Sequence, residues 1–99
     1  MTYLVVLTFD LAQNSQNLYE VLNTKLADIG LKKELRGNSG KEVQLPSNTY
    51  SGKFTGTNVT QIRDDITELI KKIFSDNDAH GKIFLTVGGN SWAWTVLNL

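Results

Sequence analysis

Along residues 3 to 9, Tyr3, Val5, Leu7 and Phe9 fall on one side of an extended chain and Leu4, Val6 and Thr8 on the other, so both faces are largely apolar. This predicts a central strand that ends at the carboxylate of Asp10. The period then changes from two to between three and four. Leu18, Val21, Leu22, Leu26 and Ile29 draw the stripe of a first helix, with Asn14 or Ser15 as its cap and Gly30 at its left-handed C-terminal position. Residues 31–36, with Leu31 and Leu35 set among charges, predict a short edge strand, and GNSGKE after it a turn. In 42–54 the strand-forming residues are interrupted by Pro46, which cannot donate to a ladder, so residues 48–55 are the better strand. A second stripe, Val59, Ile62, Ile66, Leu69, Ile70 and Ile73, predicts a helix that begins at Thr57 or Asn58, with Asn58 and Gln61 at capping-box spacing. KIFLTV, residues 82–87, is a strand ended by Gly88 and Gly89, and the alternation in SWAWTVLNL opens the option of one more strand at the C-terminus.

The resulting order, β-α-β-β-α-β with an optional C-terminal strand, is an α+β, ferredoxin-like arrangement of residues 1–99 as a single domain, two helices lying on one face of an antiparallel sheet. Two helices cover only one sheet face, yet Leu4, Val6 and Phe84 make the other face apolar too. That second surface needs cover. Trp92 and Trp94 share one side of the terminal segment, which either folds over the sheet of its own chain or reaches a partner's sheet edge in a homodimer.

Composition narrows the chemistry. With no cysteine, a disulfide framework, a thiolate nucleophile and a cysteine zinc site are excluded, and a reducing cytoplasm suits the chain. No apolar run approaches the length of a membrane span, so no membrane partner is expected. Ten basic and ten acidic side chains cancel, so a polyanion would have to meet a local patch. The one candidate is Lys32, Lys33, Arg36 and Lys41, which could hold the phosphates of single-stranded RNA, with Tyr50 adding stacking if it faces outward. Lysines on an edge strand also discourage unwanted pairing, and that reading stands beside the first. The single histidine, His80, lies in a polar loop without a nucleophile at a recognisable spacing, and Asp64, Asp65 and Glu68 lie on the polar side of the second helix near its start.

YLVVLTFDL, the helix around LYEVL, LPSNTY, the helix from QIRDDI and the closing strand followed by SWAW resemble the small ferredoxin-like proteins grouped with the CRISPR adaptation nuclease subunit. The resemblance is closer still to the SinR-like proteins and the endoribonuclease antitoxin of type V toxin–antitoxin systems. The resemblance implies a homodimer whose first strand ends in an aspartate, here Asp10, that in some members of the family meets its symmetry mate around a divalent metal. A strand-end carboxylate suits Mg²⁺, which takes oxygen donors and leaves other positions to water and phosphate. Asp10 would then be catalytic and metal-binding in an Mg-dependent endoribonuclease; in the plainer reading it closes the strand and leads into a turn. The polar and basic residues that accompany this aspartate in nuclease members are not evident between Leu11 and Ser15. Two functions follow. One is RNA binding or metal-dependent RNA cleavage; the other is a non-catalytic homodimeric interaction module, a regulator or phage-type inhibitor with a protein partner.

Overall fold

The computed structural model describes residues 1–13, 15–37, 40–89 and 91–99, so the alternative cap Asn14 and the turn residues Asn38 and Ser39 lie outside the described residues. Its elements are β1 (Thr2–Leu11), α1 (Gln16–Asp28), β2 (Glu34–Arg36), β3 (Glu42–Gln44), β4 (Thr49–Thr55), α2 (Val59–Asp76) and β5 (Gly81–Gly89). The protein is a small α+β structure of two helices and antiparallel strands. No described helix is long and apolar enough to cross a membrane.

Both helices start as their side chains dictate. The Ser15 hydroxyl accepts from the Leu18 amide at 3.2 Å, and Asn58 Oδ1 accepts from the Gln61 amide at 2.8 Å, each satisfying an N–H that the helix leaves free. Gln61 Oε1 reaches past the cap to accept from the Thr57 amide at 3.1 Å. At the other end of α1, Gly30 adopts φ 97°, which reverses the chain toward Leu31.

β1 is the central strand of a three-stranded sheet ordered β4-β1-β5, antiparallel to both neighbours. Its odd residues Tyr3, Val5, Leu7 and Phe9 are buried with Leu22 and Leu26 of α1 and Ile62, Ile66, Ile70 and Phe74 of α2. Phe9 joins these layers, its ring stacking at 5.8 Å on Tyr19 of α1 and 5.3 Å on Tyr50 of β4 and meeting Phe74 of α2 edge-on at 5.3 Å. Both helices therefore cover the odd face of β1, and the even residues point to the opposite face.

Four segments differ from the sequence expectation. Residues 42–44 are a strand as well, because the chain folds back at Gly37, whose amide donates to the Lys41 carbonyl at 3.2 Å, and β3 pairs with β2 as a separate hairpin. Segment 31–36 reaches the main sheet only through an antiparallel bridge, Lys32 to Ser51 on β4. β5 continues through Gly88 and Gly89, since Gly89 pairs with Tyr3 and a Cβ there would come within 2.5 Å of the Tyr3 ring. Residues 91–99 form no strand. Their alternation is used in packing instead: Trp92, Trp94 and Val96 are half-buried while Ala93, Thr95 and Leu97 are exposed.

Candidate nucleic-acid interface

The even face of β1 continues across the sheet by register. Leu4 lies between Lys53 and Gly88, Val6 between Ser51 and Thr86, Thr8 between Thr49 and Phe84, and Asp10 next to Lys82. The C-terminal segment and the β2–β3 hairpin fold over the β4 side of this face. Leu4, Val6, Leu35, Leu45, Trp94 and Val96 enclose a cavity of about 280 Å³ there. Leu4 is thus 7 % exposed and Val6 half-buried, both covered within one chain, whereas Phe84 on the β5 side is 63 % exposed.

Where the C-terminal segment leaves the sheet, Arg36, Lys53, Trp92 and Trp94 line a cleft of about 590 Å³. Lys53 projects from β4 on the same face as Leu4, and its Nζ stands 6.0 Å from the centroid of the Trp92 ring. Arg36 enters from β2, held by an ion pair of 2.8 Å to Glu42 across the hairpin. Both tryptophans of the chain are in this cleft, half-buried. Two cations and two indoles converge at one place, the combination that holds phosphates and stacks bases.

The structure divides the basic patch expected from the sequence. Arg36 reaches the cleft, while Lys32 takes its place on the outer edge of β4 through its backbone. Lys33 lies over Tyr50, with Nζ 5.9 Å from the ring centroid, and Lys41 is exposed beyond the hairpin turn. Tyr50 does not face outward. It is fully buried, because its position opposite Leu7 turns the ring into the core, and its hydroxyl donates to Asn23 Oδ1. Burial first, and the neighbouring Tyr19 second, push the Tyr50 phenol up to about 12. Tyr50 therefore has no part in stacking on RNA.

Lys53 was not legible as a site residue. Alternation places it on the face of Leu4, but its partner Trp92 is distant in the chain and no local pattern joins them.

Asp10 is exposed at the far end of β1, opposite Lys82. Six residues separate it from Leu4, the neighbour of Lys53, so it stands roughly 20 Å along the strand from the cleft. Among the described residues no three His, Asp or Glu side chains group to hold a metal ion. Asp10 faces a lysine as a lone carboxylate, which does not fit a metal centre built within one chain. His80 remains an exposed loop residue, its Nε2 3.2 Å from Asp78 Oδ1. No protein-family model matches the chain, and no curated protein matches it in sequence.

Proposed function

We propose that this chain is a ferredoxin-like, cytoplasmic protein that binds single-stranded RNA in the cleft between its sheet and its C-terminal segment. The observation that carries the reading is the approach of Lys53 to the ring of Trp92, with Trp94 and Arg36 in the same cleft. An indole accepts the face of any base, and stacking is worth about 1–3 kcal/mol per base. Lys53 and Arg36 then meet the phosphates on either side. Because the chain has no net charge, attraction is local and sensitive to salt. The ferredoxin-like arrangement is supported by the central position of β1 between antiparallel β4 and β5, and by the two helices on one face. The bridge from Lys32 to Ser51 sets the segment before β2 at the outer edge of β4, where the fourth strand of such a sheet belongs. The function does not require a metal, and cleavage is a separate question that rests on Asp10 alone.

Since the two tryptophans both line the cleft, their fluorescence reports binding directly. Titration with a single-stranded RNA oligonucleotide should quench it, more weakly as salt rises. An emission unchanged at saturating RNA and low salt would remove this reading.

A second reading, a homodimeric protein-interaction module, is favoured by a different observation. Phe84 is 63 % exposed on β5, at an edge of the sheet that no described strand covers.

A further inference from the structure

We infer that β5 is a self-pairing edge, and that two copies of this chain join their sheets about a two-fold axis through Leu85. The inference rests on the homodimeric reading and names its surface and register. In an antiparallel ladder, residues alternate between those bonded to one neighbour and those whose backbone groups point the other way. The Ala12 amide donates to the His80 carbonyl at 2.7 Å, in the same register as the β1–β5 ladder, so the even residues of β5 bond to β1. The N–H and C=O groups of Gly81, Ile83, Leu85 and Val87 consequently point away from the sheet. The opposite edge confirms the alternation. The Phe9 amide donates to Asn48 in the β1–β4 register, and Ser51, of the other parity, exchanges bonds of 2.8 and 2.9 Å with Lys32.

The devices that protect an edge are few on β5. It runs nine residues without proline, and its one charge, Lys82, lies on the even face across from Asp10. Its side chains also leave space: between β5 and α2 lies an open groove of about 630 Å³, floored by Ile70, Phe74, Ile83 and Leu85, and Ile83 is 37 % exposed.

A second copy is the occupant that fits along the full strand. A two-fold at Leu85 pairs all nine residues, setting Leu85 against Leu85, Ile83 against the second copy's Val87, and Gly81 against its Gly89. Ile83, Leu85 and Val87 turn their backbone groups outward and the Gly89 carbonyl already accepts from the Ser91 amide at 2.8 Å, so the ladder closes from Ile83 to Val87 without a change of conformation. The odd side chains remain on the helix side and the even ones, with Phe84 beside the second copy's Thr86, on the other. Charge agrees with the register. Asp78, with His80 and Lys71, rims the groove at the Ile83 end, Lys71 being already paired with Glu68. Arg63, which holds Asp64 in an exposed ion pair of 2.9 Å, stands beside Leu85 and Val87. Setting position 83 opposite 87 brings Asp78 of each copy toward Arg63 of the other.

Parity supplies the test. Proline at position 83 removes only an outward N–H and costs no bond to β1, so Ile83→Pro should fold and fail to pair. Light scattering at micromolar concentration should give twice the chain mass of 11.0 kDa for the wild type. Ile83→Pro should weaken the dimer by at least about tenfold with an unchanged circular dichroism spectrum. The chain has no cysteine, so Leu85→Cys reports register independently of that variant's folding. Its two copies would stand about 5.5 Å apart at Cα and oxidise to a covalent dimer, while Thr86→Cys should not. A monomeric wild type would overturn both the pairing and the homodimeric reading. A dimer that survives Ile83→Pro, lacks the Leu85→Cys crosslink and dissociates in Trp94→Ser with Val96→Ser would overturn the β5 pairing alone and move the contact to the C-terminal segment.

Discussion

The Tyr50 hydroxyl on β4 donates to Oδ1 of Asn23 on α1, tying the sheet to the first helix beneath the stacked ring of Phe9. With burial and Tyr19 raising the phenol from 10.0 to about 12, the folded state holds this proton more tightly than the unfolded chain does. The contribution is complete below pH 10. As pH rises from 10 toward 12 the unfolded chain ionises first, and stability falls by up to roughly 2–3 kcal/mol. Urea midpoints measured between pH 9 and pH 12 should show that decline. In Tyr50→Phe the component due to this phenol should vanish, leaving a shallower slope; an identical slope in both proteins would place the loss elsewhere.

Ser51, 3 % exposed, sits on β4 on the same face as Val6, with its hydroxyl directed among apolar side chains and no hydrogen-bond partner found for Oγ among the described residues. A buried polar group without a partner costs about 1–3 kcal/mol. Removing it leaves the backbone bridge to Lys32 intact. Ser51→Ala should therefore raise stability by about 1 kcal/mol, read as a higher urea midpoint at constant slope. A lower midpoint would mean that the hydroxyl is satisfied in solution.

The helices were legible because each repeats one simple period over many residues and because Ser15 and Asn58 stand immediately before those periods begin, and β1 because an unbroken run of strand-forming residues leads up to Asp10. What local pattern could not supply was partner choice. Residues 34–36 and 42–44 are too short to show a period, and only the fold-back between them makes a hairpin. Alternation in 92–96 correctly separated buried from exposed positions, yet a ladder needs a backbone partner as well as a face, and this segment packs without one. The candidate site shows the same division. Arg36 and the tryptophans could be picked out singly, but their meeting with Lys53 depends on how the C-terminal segment crosses the sheet.

Asp10 is an exposed strand-end residue with Lys82 across from it, so its side chain contributes little to the core. Asp10→Ala should change stability by no more than about 0.5 kcal/mol. The cleft stands roughly 20 Å away along β1, so RNA-induced quenching of the tryptophans should be the same in the mutant. If the wild type cuts labelled RNA in Mg²⁺, Asp10→Ala should lose the cutting and keep the binding. Equal cleavage by the two proteins would take Asp10 out of the chemistry.

The contrast between Lys53 and the lysines before β2 separates a built cleft from a merely basic edge. Lys53 is beside Trp92, whereas Lys32 is committed to the sheet edge by its backbone and Lys33 covers the Tyr50 ring. Each lysine removed from contact with a single strand should lower the salt slope of log K by about 0.7. Lys53→Ser should show that decrease, and Lys32→Ser should show none. Trp92→Ala removes a stacking platform and should cost about 1–3 kcal/mol, equivalent to roughly 5- to 150-fold in affinity, followed through the remaining Trp94. Its effect should be nearly independent of salt, since no counterion is released at an indole. If Lys32→Ser and Lys53→Ser lower the slope equally, the strand lies along the hairpin edge and the tryptophans are only cover for the sheet.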